Sequence, residues 1–401
     1  MRESDQERGG VDALRIVDDV TGDRQRPVQG GRPRDPSLPR EDVTLNVPPG
    51  AIRWGLKVFI AASLIGLSGV FFITQDVGAS LKAFRLFDLR WGLVCLLFAS
   101  FDWFGGGFRV WLLVRPLDIR LSYWKCVEIS GATAALAYLT PAGAGGGPAQ
   151  LFGLVRNGVS VGRAAAANFA SVAVNLIFLS LAGLGAWWMG AASEIEGVRL
   201  PLNISAARLF EWSAAGFGLI ASLIILFAVN PRPVRLLALR VLGRGRRVRT
   251  LLRWLQELHG SLIIYARKGK MALVLATLAG TLHFGGRFLL GWAVLRGFGI
   301  DAGFWNTVLL HVMIQFLIYF MPTPGGSGIA EIITPAVMSP FMPAALLVAY
   351  TVVWRFFLTY LTVAVGGTII FRWIHPKPTT AEPDAEHIEQ SEPPAREASG
   401  L

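Results

Sequence analysis

Charge is scarce in this sequence: 16% of its 401 residues are Asp, Glu, Lys or Arg, while 53% are hydrophobic and the mean hydropathy is +0.49. That balance excludes an ordinary soluble domain, which has too little interior to hide so much apolar surface. Cysteine is nearly missing. Cys95 and Cys126 stand in or beside apolar stretches and form no spaced framework, which indicates neither disulfides nor a zinc site. Catalytic signatures are missing as well: no Gly-x-Ser-x-Gly elbow, no His-x-x-x-His pair and no acidic motif with metal spacing. The glycines of 143–147 follow no strand and precede no Lys-Ser/Thr, so they are not a phosphate loop, and no cofactor is implied.

What remains is a polytopic membrane protein. Apolar runs long enough to cross a hydrocarbon layer of roughly 30 Å occur near 55–75, 91–113, 162–190, 209–229, 271–295 and 343–371. Two other segments, 122–160 and 304–341, each have one apolar leg of near-spanning length, a Pro/Gly break, and a second leg of about 12 residues that reaches only about 18 Å. The expected fold is all-α, with six full spans and two re-entrant helical hairpins, eight membrane segments in total. The first apolar run follows some fifty polar residues and has no small-residue cleavage site after it, so it reads as an anchor. Residues 1–50, with 8 basic and 10 acidic side chains, and residues 376–401, with 2 and 6, read as disordered tails around a membrane domain at 51–375.

Positive charge sets the expected orientation. Between Arg232 and Lys270 there are nine Arg and two Lys against the single acid Glu257, which places this loop in the cytoplasm. Counting spans outward, 122–160 starts and ends on the cytoplasmic side and 304–341 on the opposite side, with both termini cytoplasmic. Within 230–270, Val248, Leu251, Leu252, Leu255, Leu258 and Leu262 share one helix face, behind Arg244, Arg246, Arg247, Arg249 and Arg253. A basic amphipathic helix of this kind lies on the cytoplasmic leaflet; its charges serve either as a topology signal or as anionic-lipid contacts. No nucleic-acid-binding module surrounds them.

The two broken segments are copies of one another. Displaced by 181 positions, Tyr138-Leu-Thr-Pro141-Ala-Gly143-Ala-Gly145-Gly-Gly147-Pro-Ala149-Gln150 falls on Tyr319-Phe-Met-Pro322-Thr-Pro324-Gly325-Gly326-Ser-Gly328-Ile-Ala330-Glu331. Opposed hairpins from an internal copy make an inverted repeat, and broken helices at corresponding places in two halves point to a substrate site near the midplane. Pro and Gly also kink packed helices, but kinks alone leave the copied spacing unexplained. The short legs would turn their N–H groups and positive ends toward a cavity between the breaks, where an anionic group fits.

Ionisable residues inside a membrane helix cost about 2.5–3.5 kcal/mol each on insertion scales, so each is a functional candidate with a partner to be found. Glu331 opens the second short leg and Arg355 lies in the last span; the expectation is that they pair, or that substrate separates them. Asp102 and Arg109 are seven apart on one helix face, with snorkelling of Arg109 to the surface as the alternative. His283 and Arg287 are four apart, and Arg287 has no acid near it in sequence. Asn168 with Asn175, and His311 with Gln315, read as interhelical hydrogen-bonding pairs. Arg156 and Arg163 stand at the mouth of the first hairpin, as head-group contacts or topology charges.

The run Pro322-Thr-Pro324-Gly-Gly-Ser-Gly328-Ile-Ala-Glu331, followed by Arg355, resembles the signature of the lysylphosphatidylglycerol synthase/flippase transmembrane family. Thr140-Pro-Ala-Gly-Ala-Gly-Gly-Gly-Pro148-Ala-Gln150-Leu with Arg156-Asn-Gly158-Val is similar to that family too. The likeness covers roughly 55–372 and implies a bacterial inner-membrane protein that moves a lipid between leaflets. It departs at Gly147, where many relatives carry an acid. In two-part members a cytoplasmic domain adds lysine to phosphatidylglycerol; this chain stops about 30 residues after its last span, so lysyl transfer is not expected of it.

The combined expectation is a flippase or scramblase with membrane lipids, anionic ones foremost, as its partners. Gly143, Gly145, Gly147, Gln150, Pro324, Gly325, Gly326 and Gly328 would line the site, Arg287 and Arg355 would hold a phosphate, and Glu331 would gate through Arg355. Two other readings remain open: a membrane-embedded lipid-modifying transferase, and a non-transporting subunit that binds a lipid-biosynthetic enzyme.

Overall fold

The computed structural model describes residues 49–74, 77–200, 203–229, 260, 263–265, 267–319 and 321–374. The expected tails at 1–50 and 376–401, apart from Pro49 and Gly50, and most of the basic 230–270 helix lie outside the described residues. Helix α1 spans Pro49–Thr74, α2 Val77–Ala83, α3 Leu89–Val114, α4 Tyr123–Leu139, α5 Gly146–Arg156, α6 Val161–Trp188 and α7 Ala191–Glu194. A two-stranded antiparallel ribbon, β1 Arg199–Leu200 and β2 Ile204–Ser205, leads into α8 Ala206–Val229. Then come α9 Lys270–Gly297, α10 Phe304–Tyr319, α11 Ile329–Met338, α12 Ala344–Arg355, a π turn at Phe356–Tyr360, and α13 Leu361–Ile374.

Among the described residues, four stretches are long and apolar enough to cross a membrane: Leu89–Leu117, Val161–Trp188, Lys270–Gly297 and Ala344–Ile374. Helices α1 and α8 have 26 and 24 residues, also of spanning length. The hairpins have the uneven legs that the Pro/Gly punctuation dictates: 17 and 11 residues for α4 and α5, 16 and 10 for α10 and α11. Leu93, Leu97, Leu181, Leu184, Trp188 and Leu278 stay exposed, while small and polar residues such as Gly105, Gly106, Ser130, Asp102 and His283 are buried. An apolar outside with small residues between helices is how helices pack when lipid is the solvent.

The offset of 181 extends well beyond the breaks. It separates the starts of α3 and α9 and the starts of α4 and α10, and the next two helix pairs come within two positions of it. Helices α3 and α9 form the most extensive helix–helix interface among the described residues. They run antiparallel: at one end the Asp88 N–H donates to the Gly297 carbonyl (2.8 Å), and at the other the Tyr265 hydroxyl, just ahead of α9, donates to the Leu113 carbonyl (2.6 Å). The Asp88 side chain also caps α3 by accepting from the Arg90 N–H at 2.9 Å.

The α3–α9 crossing is set by glycine. A Cβ on Gly105 would lie 3.0 Å from the His283 nitrogen, and one on Gly286 would lie 2.5 Å from the Phe98 carbonyl oxygen and 2.7 Å from Phe101 Cβ. Those neighbours are backbone or backbone-proximal, so they have no rotamer to escape into. Gly286→Ala is expected to lower unfolding stability by about 1–3 kcal/mol, the range for overpacking a tight contact. Gly285→Ala, one position along with nothing within 4 Å, should be neutral or slightly stabilising. Thermal unfolding of both variants in detergent checks the contrast, and equal melting temperatures would refute this account of the crossing.

Candidate functional site

The two breaks meet. Pro141 in the first and Pro324 in the second form an antiparallel β-bridge, and the second break packs so close that a Cβ on Gly325 would lie 3.0 Å from the Tyr138 carbonyl oxygen. Both turns need left-handed backbone: Ala142 and Gly143 have φ of 50° and 71°, Gly325, Gly326 and Gly328 have 58°, 67° and 82°. Glycine adopts such angles freely, whereas Ala142 does so under strain. The breaks differ in cover. Pro141 to Ala144 are exposed, whereas Pro324, Gly326 and Ser327 are buried.

Glu331 and Arg355 are paired, as their positions led us to expect, and both are fully buried. Arg355 Nε donates to Glu331 Oε1 at 3.0 Å; Nη1 donates to the Gly325 carbonyl and to Thr359 Oγ1, both at 3.1 Å; Nη2 donates to Ser327 Oγ at 3.3 Å. The other carboxylate oxygen, Glu331 Oε2, accepts the Gly328 N–H at 2.8 Å, fastening the acid to the start of its own helix. One guanidinium thus ties the second break, α11 and the last span together. The π turn begins directly after Arg355 and brings Thr359 to it; such turns recur at functional sites. Nothing in the sequence pattern announced it.

At the corresponding place in the first copy the network is neutral. Gln150 Nε2 donates to Ser171 Oγ at 2.8 Å, and Val174 holds the position that the offset of 181 maps onto Arg355. Gly147 faces α6, where a Cβ would meet the Asn168 amide at 3.4 Å. Several break amides that sequence offered to an anion are engaged internally: Gly143 to the Thr140 carbonyl, Gly145 to Thr140 Oγ1 (2.7 Å), Gly326 to the Thr323 carbonyl, and Gly328 to Glu331.

A second charged cluster lies on the α3–α9 interface. Arg287 Nε and Nη2 both donate to Asp102 Oδ1, at 3.0 and 2.5 Å, while Asp102 Oδ2 is buried without a partner. His283 Nδ1 donates to the Asp102 carbonyl at 3.1 Å, a contact across 181 positions. The Arg287 guanidinium stands 5.5 Å from the Tyr138 ring and 5.4 Å from the Phe284 ring, within cation–π range. The acid for Arg287, unseen in its sequence neighbourhood, is on α3, which starts 181 positions before α9. Arg109 does not snorkel: it is 4% exposed and donates through Nη1 to Asn175 Oδ1 on α6.

The remaining candidates divide. His311 bonds to the Tyr350 hydroxyl and to the Thr307 carbonyl, an interhelical link between α10 and α12. Arg156 and Arg163 are exposed at the open end of the first hairpin and join neither cluster. A depression of about 440 Å³ lined by Gly197, Val198, Arg199, Ala336, Ser339 and Pro340 sits at the far end of α11, away from both clusters.

The sequence has known relatives. A UPF0104 membrane protein of Archaeoglobus fulgidus is 26% identical over 288 residues, covering 68% of this chain and 83% of the relative. The family described as the lysylphosphatidylglycerol synthase TM region matches residues 56–366, from within α1 to within α13 and through both breaks. With more than three quarters of its length inside that match, the chain belongs to the lysylphosphatidylglycerol synthase transmembrane-region family.

Proposed function

We propose that the protein moves a lipid with a polar or anionic head group between the leaflets of a bacterial cytoplasmic membrane, and that the head group passes where the two breaks meet. The observation that carries this reading is the Pro141–Pro324 bridge, with Arg287 in one buried cluster and Arg355 in the other. Irregular backbone at membrane depth persists only where protein buries it or a wet path runs beside it. The antiparallel α3–α9 pair, whose members start 181 positions apart, supports an inverted repeat. In that arrangement α1 and α8 complete six spans, the hairpins enter from opposite sides, and both termini are cytoplasmic.

The energetic task is to shield a head group from hydrocarbon while its acyl chains stay in lipid. Burying an unpaired phosphate is prohibitive, and guanidinium donors preorganised beside the path reduce that penalty. All three Arg355 nitrogens already donate, so a phosphate that takes the guanidinium by two donors displaces Glu331 or the break's own acceptors. That exchange makes Glu331 a gate: the carboxylate holds the second break closed until an anion replaces it. Gln150 and Ser171, neutral at the equivalent place, leave the first break more readily opened. The glycines of both breaks then offer amides as their internal bonds are released.

The test is movement of head-group-labelled lipid across proteoliposomes of defined composition. Wild type should accelerate leaflet exchange of an anionic phospholipid, and Asp102→Asn/Arg287→Met, which removes the cation together with the buried acid that it holds, should reduce that rate by about tenfold or more. Equal rates in wild type and protein-free vesicles for every lipid class tested would discard the transport reading. Among the described residues no structural observation favours the transferase or the assembly-subunit reading.

A further inference from the structure

The charges buried between helices do not balance. Among the described residues the buried or nearly buried ionic side chains are Asp102 and Glu331 against Arg109, Arg287 and Arg355. Glu331 neutralises Arg355, and Asp102 spends its engaged oxygen on Arg287. Arg109 is left with a neutral partner, the Asn175 amide oxygen, and its Nε is buried with no hydrogen-bond partner. A guanidinium away from water without a counter-charge costs several kcal/mol, and a buried Nε with no acceptor adds to that cost.

Position explains why the surplus sits here. Asp102 and Arg109 are two turns apart on α3, and long helical side chains lean toward the N-terminus, so Arg109 reaches back toward the Asp102 level. Arg287 reaches Asp102 from α9, and Arg109 rises from the same face of α3, so that one face carries the acid and meets both guanidinium side chains. Glycines 105–107 lie between them on α3, and Asn175 closes the α6 side. Tyr138, whose hydroxyl is buried and unpartnered, faces Arg287 from the first break.

We infer that Arg109 and Arg287, with Asn175 beside them and Tyr138 at the break, form a binding site for a phosphate or phosphodiester anion between α3, α6 and α9. One negative charge brings Asp102, Arg109 and Arg287 to neutrality, and a tetrahedral oxyanion supplies acceptors for both the orphan Arg109 Nε and the Tyr138 hydroxyl. The site rests on the lipid-transport reading for its biological occupant. Its chemistry is shared by a lipid head group and by free phosphate.

Binding of fluorescent phosphatidylglycerol to the full chain in phosphatidylcholine nanodiscs tests it, with inorganic phosphate as competitor. Arg109→Gln should weaken binding by about tenfold or more, Arg109→Lys should stay within about threefold of wild type, and Asn175→Ala should fall between, since a charge contact outweighs a neutral one. Matched size-exclusion profiles for the variants separate loss of the site from loss of the fold. Competition by millimolar phosphate assigns the site to free anion, and lack of competition assigns it to the lipid head group. Binding by Arg109→Gln equal to wild type overturns the site. Binding that Arg109 governs, without movement between leaflets, keeps the site and removes the transport reading; wild-type binding and undiminished movement in Arg109→Gln remove the site and keep transport.

Discussion

Arg355→Ala should bring lipid movement down to the protein-free background and also lower the melting temperature of the protein in detergent. The two effects have separate causes. Removing Arg355 strands a fully buried Glu331 carboxylate, and breaking one side of a buried pair costs about 3–5 kcal/mol. It also releases the Gly325 carbonyl, Ser327 and Thr359, which Arg355 holds together. Lost transport from the single variant is therefore ambiguous between a missing anion ligand and a collapsed break. The double variant Glu331→Gln/Arg355→Met resolves it. Replacing both members of a buried pair by groups of similar volume is often nearly neutral for stability, so this protein should recover most of the lost melting temperature. Transport should stay at background, because no guanidinium remains at the second break. Glu331→Gln alone keeps the cation and should weaken or uncouple movement. Wild-type transport in the double variant would show that the pair serves only to hold α11 against the last span.

Much of this architecture was legible because membrane helices are punctuated by few residue types. Pro141, Gly143 and Gly145, and Pro322, Pro324 and Gly326, break helices for local reasons, so the hairpins and their short legs could be read directly. The Glu331–Arg355 pair was legible too, since a lone acid and a lone base in neighbouring apolar segments have few other partners. The Asp102–Arg287 pair was not, because its members are 185 positions apart and same-face spacing on α3 suggested Asp102 with Arg109 instead. The missing signal was the repeat itself: carried back from the breaks, an offset of 181 places Asp102 on His283 and aligns α3 with α9. The π turn after Arg355 and the 199–205 ribbon left no such trace, since both arise from tertiary contacts and not from a periodic pattern.

The two breaks are closed by different chemistry. The first break is exposed and closed by the neutral Gln150–Ser171 bond; the second is largely buried and closed by an ion pair. Helix α6 runs uninterrupted for 28 residues, while its counterpart is interrupted by the π turn at the residue following Arg355. An inverted repeat with equal halves would present the same barrier from both sides. On the proposed transport reading, a break held by neutral bonds and one held by a charge-assisted network would open unequally.

Joining the breaks covalently should stop transport reversibly. An antiparallel bridge sets opposed Cα atoms about 4.5–5.5 Å apart, inside the roughly 4.4–6.8 Å that a disulfide spans, so Pro141→Cys and Pro324→Cys should couple on mild oxidation. Cys95 and Cys126 are both buried and are replaced by Ala in the background to leave a single possible bond. If head groups pass between the breaks, the oxidised protein should move lipid at the protein-free rate and recover on addition of reductant. The reduced double variant controls for loss of the two prolines, whose rigid φ shapes the turns. Complete cross-linking with undiminished transport would mean that Pro141 and Pro324 stay together throughout the cycle. The path would then run along the exposed Pro141–Ala144 side and past Arg109, and Glu331 would no longer be its gate.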